Sequence, residues 1–185
     1  MYKVGRIIQP RFRIDTNCIN SRSNLPAMNI LERWDEDGVI FMKDISDTAQ
    51  KEAMAGNDPI RKEKALQFVD NILFRDSENN KIISDIKKIL FPAGIKNQNQ
   101  MNDVLIVFDC TNDSAILITN DGASKSQPGG ILGHRAELKK KFGLIIMTDK
   151  EAVEFVQDKI NERDKRAQFL HEKYCHELPK WVGKD

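Results

Sequence analysis

Asp103-Val104-Leu105-Ile106-Val107-Phe108-Asp109-Cys110-Thr111 is the stretch whose reading decides the fold. Five consecutive apolar residues between two acids suit a short buried strand. They suit a buried helix equally well, because periodicity separates the two only where polar positions interrupt the run. Just downstream, Ala115-Ile116-Leu117-Ile118-Thr119 reads as a strand and ends on Asn120-Asp121-Gly122.

Working back towards the N-terminus, Ile82, Ile83, Ile86, Ile89 and Leu90 recur at helical spacing and stop at Pro92. Pro59 suits a helix start, with Ala65, Phe68, Val69 and Ile72 on one apolar stripe. Ser46 can cap a helix that carries Ala49, Glu52 and Ala53. Val39-Ile40-Phe41-Met42 reads as a buried parallel strand, and Pro26 opens a helix that runs to Gly38 with Met28, Leu31 and Trp34 on one face. Phe12-Arg13-Ile14 alternates, as a short strand would, and delivers Asp15 at its carboxyl end before a polar loop over 16–24. Towards the C-terminus come a glycine-rich loop over 123–133, a basic helix near Arg135 to Lys141 and a strand at 144–147. A long charged helix follows, capped by Thr148 or Asp149 and running towards His176.

Strands alternating with helices predict an α/β fold, a three-layer α/β/α sandwich around a central parallel sheet, with an extended C-terminal helix. Ligands of open parallel sheets sit beyond the carboxyl ends of the strands, where Asp15 and Asp121 both lie. The chain has 185 residues, enough for one well-buried core. Its 29 basic and 28 acidic residues give a net charge of +1, which argues against a protein that coats nucleic acid through bulk charge. Cys18, Cys110 and Cys175 are odd in number and contain no CxxC, and no stretch resembles a signal peptide. Both features predict reduced thiols and a cytoplasmic location. No apolar run is long enough for a bilayer, so no membrane association is expected.

Four short motifs carry a resemblance. Ile14-Asp15-Thr16-Asn17 resembles the first motif of PIN domains, a strand ending in aspartate followed by Thr or Ser and a small polar residue. Ser46-Asp47-Thr48-Ala49-Gln50-Lys51-Glu52 is similar to the second, in which Ser caps a helix and Glu follows six positions later. Asp103 precedes Asp121 by eighteen positions, the family's spacing between its third acid, which opens a helix, and its fourth; Leu117-Ile118-Thr119-Asn120-Asp121 resembles the fourth motif itself. The resemblance covers about residues 12–155 of a single PIN-like domain spanning 1–185, and leaves 156–185 as a C-terminal helical extension. It also implies that residues 103–108 form a buried helix.

The resemblance implies a nuclease, an endoribonuclease acting on single-stranded RNA with Mg²⁺ or Mn²⁺. Asp15, Glu52, Asp103 and Asp121 would be its catalytic acids, with Asp15, Asp103 and Asp121 as metal ligands. Clustered carboxylates repel, and a hard divalent cation relieves the repulsion while accepting phosphate oxygens. Glu52 would then orient a water or act as general base. Thr16, Asn17 and Thr119 have groups suited to hydrogen-bonding those acids. Arg22, Lys51 and Arg135, the last beside Lys139-Lys140-Lys141, are the candidate phosphate contacts. Many PIN-like proteins are toxins of toxin–antitoxin pairs, so an antitoxin or other protein partner, and pairing as a homodimer, are further expectations. The runner-up is a PIN-like binding or regulatory domain without turnover.

Three features depart from the family pattern: the C-terminal extension, Asp109 and Asp113 within the third-acid segment, and the glycine-rich loop after Asp121. Asp109, Asp113, Asp44 and Asp47 read as solvated or capping groups, with Asp109 the first candidate for an additional site acid. Val107-Phe108-Asp109-Cys110-Thr111 could alternatively be the strand and nucleophile of a Mg²⁺-dependent phosphatase resembling haloacid dehalogenases, but position 111 is Thr where such enzymes repeat Asp. His171-Glu172-Lys173-Tyr174-Cys175-His176 lacks the second histidine, four residues on, that a zinc-protease helix needs. A solvated terminal helix accounts for it better. Trp34 reads as core, and Trp181 as exposed or packed on the tail.

Overall fold

The strand that leads to Asp15 is buried from end to end. Strand β1 (Phe12–Ile14) has no exposed residue, Arg13 included, so the alternation expected from sequence does not hold. Alternation belongs to sheets with one wet face, whereas a central parallel strand is covered on both. Arg13 takes its charge inward and donates from Nη1 to the Asp109 carbonyl at 2.8 Å. The computed structural model describes residues 5–9, 11–42, 44–71, 77–113, 115–122 and 129–185.

Four further strands line up with β1: β2 (Asp44–Ser46), β3 (Val69–Asn71), β4 (Ile116–Ile118) and β5 (Ile146–Met147). All pairings are parallel and the order is β3-β2-β1-β4-β5. The chain therefore winds outward from β1 to β3, then crosses back to lay β4 on the other side of β1. That reversal is a topological switch point, and the carboxyl ends of β1 and β4 flank it. Asp15 donates its N–H to the Ile118 carbonyl at 2.9 Å across the same boundary.

Eight α-helices occur among the described residues: α1 (Pro26–Glu36), α2 (Asp47–Ala55), α3 (Pro59–Ala65), α4 (Ser77–Leu90), α5 (Gln98–Asp113), α6 (Gly130–Gly133), α7 (Arg135–Phe142) and α8 (Asp149–Tyr174). The fold is thus α/β with an all-parallel sheet and a long C-terminal helix. Helices α4 and α5 pack together, as do α1 and α8. Ser46 caps α2, its Oγ accepting from Ala49 N, and Thr148 and Glu151 form a reciprocal capping box on α8. Trp34 is in the core. No helix among the described residues is long and apolar enough to cross a membrane.

Several expectations are corrected. Residues 39–42 are largely buried but irregular and form no ladder; the strand starts two residues after them, at Asp44–Ser46. Val39 and Phe41 carbonyls accept from Ile8 and Phe12 N–H groups, and Met42 N–H is taken by Asp35 Oδ1 at 2.8 Å, so the run joins the approach to β1 irregularly. Helix α3 ends at Ala65, and Val69 belongs to edge strand β3; Ile72 lies outside the described residues. The segment 103–111 is helical, within α5, which removes the strand that the phosphatase alternative requires. Asp103 stands in the second turn of α5 and does not open it. Asp109 is buried, not solvated.

Helix α8 carries the core beyond residue 155, with Ala152, Val156, Ile160 and Ala167 buried along one stripe at helical spacing. Arg163 interrupts that stripe. It stacks on Trp181, 4.2 Å from its ring centroid, and donates to the Arg6 carbonyl, Asp164 and Asp185. Arg6 grips the other oxygen of Asp185. The tail beyond α8 therefore folds back along the helix and is clasped to the chain's N-terminal segment.

Candidate active site

Each element that leaves the sheet near the switch point brings a carboxylate. Asp15 follows β1 directly and caps a single 3-10 turn over Thr16–Cys18. Its Oδ1 accepts Thr16 N at 2.6 Å, and its Oδ2 accepts Thr119 Oγ1 at 2.6 Å and Asn17 Nδ2 at 2.7 Å. Asn17 also donates to Thr119 Oγ1 at 3.2 Å, and its side-chain carbonyl accepts Asn120 N at 2.9 Å. Thr119 Oγ1 in turn accepts Asp121 N at 3.0 Å. Thr16, Asn17 and Thr119, expected from sequence to support the acids, thus tie the ends of β1 and β4 into one hydrogen-bonded unit.

Glu52 arrives from the second turn of α2, the helix that follows β2. Its Oε2 accepts Thr16 Oγ1 at 2.8 Å. Asp121 is fixed by the turn after β4, where Oδ2 accepts Ile131 N at 2.7 Å and so caps α6. That turn needs glycine at two positions. Gly122 (φ +86) would place a Cβ 2.1 Å from the Gly129 carbonyl oxygen, and a Cβ at Gly130 (φ +57) would stand 2.4 Å from Asp121 Oδ2. Residues 123–128 of the expected glycine-rich loop lie outside the described residues.

Asp103 projects from α5, whose next seven residues are all buried. Loss of hydration pushes the Asp103 carboxyl up to about 7, and Asp121, Asp15 and Glu52 raise it further, in that order. Asp15 is pushed up to about 6, again chiefly by burial; the hydrogen bonds from Thr119 and Thr16 oppose this, and the charges of Glu52 and Asp121 add to it. The charges of Glu52 and Asp121 thus reach both Asp15 and Asp103, and that of Asp15 reaches Asp103. Behind them, burial first and then the charges of Asp15 and Asp149 hold the Cys18 thiol well above its ordinary value. Cys18 is thus an inert packing group.

Among the described residues, no three His, Cys, Asp or Glu side chains are arranged to hold a metal ion. The oxygens of Asp15, one oxygen of Glu52 and one of Asp121 already accept hydrogen bonds. The donor set is all hard oxygen, which suits a hydrated cation such as Mg²⁺, whose inner shell keeps several waters and takes only one or two carboxylates.

The three expected phosphate contacts are each engaged with an acid. Arg22 pairs with Asp58 at 3.1 Å, Lys51 with Asp47 at 2.5 Å, and both oxygens of Glu151 accept from Arg135 Nη1 at 2.9 Å. Sequence reasoning missed Arg61 on α3, whose Nη2 donates to the Thr16 carbonyl. No motif signals it, because only the packing of α3 brings it to this loop. Among other candidates, His171 Nδ1 contacts the His176 carbonyl at 2.6 Å, and Cys175 is exposed just past the end of α8. No family model matches this sequence, and no curated protein matches it.

Proposed function

We propose that the chain is a PIN-like, metal-dependent endoribonuclease in which helical layers on both faces of the sheet complete a three-layer sandwich. The observation that supports this most is convergence: Asp15, Glu52, Asp103 and Asp121 arise from four separate segments, yet the charges of Glu52 and Asp121 reach Asp15, and those of Asp121, Asp15 and Glu52 reach Asp103. Mutual repulsion at a strand-end switch point is what a cation site for phosphate chemistry requires. Asp15, Asp103 and Asp121 would hold Mg²⁺ or Mn²⁺, directly or through water. When bound, the cation supplies Lewis-acid polarisation and offsets charge developing on the phosphate.

The protein's own groups do the rest. Thr119 and Asn17 hold Asp15 in one rotamer, and the Ile131 amide does the same for Asp121. The Thr16 hydroxyl fixes one oxygen of Glu52, and no described residue engages the other, which is free to accept a proton from an attacking water. Arg22, Lys51 and Arg135 can exchange their exposed ion pairs, each worth about 0–1 kcal/mol, for RNA phosphates. A protein partner of antitoxin type would cover the same acids.

The test is cleavage of end-labelled single-stranded RNA with Mn²⁺ by the wild type and by Asp15→Asn. Cleavage lost in the variant supports the reading; a wild type that neither cleaves RNA nor binds Mn²⁺ sinks it. The arrangement of side chains favours one alternative, a binding domain without turnover, because among the described residues no three acids are set to hold an ion and the oxygens of Asp15 are already occupied. Mn²⁺ binding without cleavage would select that alternative.

A further inference from the structure

We propose that Arg61 is the residue of this site that grips the substrate phosphate, an inference that rests on the nuclease reading. Helix α3 is anchored at its start by Asp58, whose Oδ1 accepts Ile60 N at 3.1 Å and Arg61 N at 3.3 Å. That anchoring aims Arg61 at the loop leaving β1, where its Nη2 meets the Thr16 carbonyl. Thr16 follows Asp15 and donates its hydroxyl to Glu52, so the guanidinium lies beside the segment that links two of the four acids.

What sets Arg61 apart is the lack of a counter-charge. Arg22, Lys51 and Arg135 each have a carboxylate partner, whereas no described carboxylate pairs with Arg61, and its Nε is buried without an acceptor. A guanidinium has five donors in a rigid fork, and leaving a buried one unmade is costly. The matching acceptor is a planar or tetrahedral oxyanion that takes two donors at once, and phosphate is the oxyanion a nuclease presents. A phosphate of single-stranded RNA lying along the loop after β1 takes the terminal guanidinium donors that the Thr16 carbonyl leaves over.

The experiment measures binding of a fluorescein-labelled single-stranded RNA 12-mer, with Ca²⁺ as the metal, across a series of salt concentrations. Arg61→Gln keeps an amide donor for the Thr16 carbonyl but removes the charge. We expect about tenfold weaker binding and a salt slope shallower by about one ion, with Mn²⁺ affinity and Tm unchanged. Arg61→Lys, which carries the test should the Gln variant not fold, keeps the slope and loses part of the affinity. Wild-type affinity in these variants would overturn the proposal, and so would a wild type that binds no RNA. A parallel fall in RNA and Mn²⁺ affinity would reassign Arg61 to positioning Thr16. Cleavage is scored separately. A protein that cleaves RNA but is indifferent to Arg61→Gln loses this inference alone; one that never cleaves loses the nuclease reading, and the binding series still decides Arg61.

Discussion

Two of the places where this molecule draws carboxylates out of water treat them in opposite ways. At the tail clasp, burial would push the Asp185 carboxyl up, but hydrogen bonds from Arg6 and Arg163 outweigh it and hold the group below its ordinary value. At the switch point, Asp15 and Asp103 also lose hydration, yet the charges around them are mainly other acids, and both are raised. The clasp is electrostatically finished and serves to hold the chain together. At the acid cluster no ion pair among the described residues offsets the lost hydration, and on the proposed function that shortfall is what a cation would fill.

Breaking the unfinished side should give the largest effects. Asp15→Asn or Asp121→Asn should lower Mn²⁺-dependent RNA cleavage on the order of a thousandfold, measured in single turnover. Thr119→Val leaves all four acids in place but frees Asp15 from its strongest tether. It should cost about 10–100-fold in Mn²⁺ affinity or rate.

The contrast also has a pH signature. For Asp15 and Asp103 the folded-state values, about 6 and about 7, lie above the ordinary 3.8, so the folded protein binds more protons between those limits. Metal-free stability should therefore fall as pH rises from 5 to 8, by about 10 °C in Tm. Mg²⁺ should restore more at pH 8 than at pH 5, and Asp103→Asn should flatten the profile. Asp185 has the opposite sign: its contribution is present above the ordinary carboxylate value and is lost on acidification below it. Asp185→Asn should accordingly cost about 1–2 kcal/mol in urea unfolding at pH 7, with the difference from wild type shrinking below pH 4. The smallest effect is expected at Lys51→Gln, an exposed i,i+4 pair, within about 0.5 kcal/mol of wild type.

How far the sequence foretells all this depends on the kind of residue. Pro26, Ser46 and Thr148 mark helix starts by local chemistry, and the structure starts helices there. Asp15 and Asp121 are legible as strand-end acids because β1 and β4 are short, apolar runs that stop abruptly. The switch point between those strands is not legible, since strand order is decided by tertiary pairing and leaves no local trace. The place of strand β2 is not legible for the same reason: residues 39–42 are the more apolar, but the ladder with β1 forms at Asp44 and Ile45. Edge strand β3 hides behind the apolar spacing of α3. Segment 103–108 is helical although every apolar position fits both structures, and only the motif resemblance pointed that way. Arg13 and Arg61 are invisible at this level because a charged side chain reads as solvated until its partners are in place.

The pairing of β1 with β4 also sets when the site can exist. Asp15 and Thr119 are 104 residues apart in sequence, and the bond between them closes that whole loop. A nascent chain made as far as α5 would contain Asp15, Glu52 and Asp103, but no β4 to draw them onto one edge. Long-range closure of this kind comes late in folding. On the proposed function, the acids of β1 and β4 would meet only once β4 has been made.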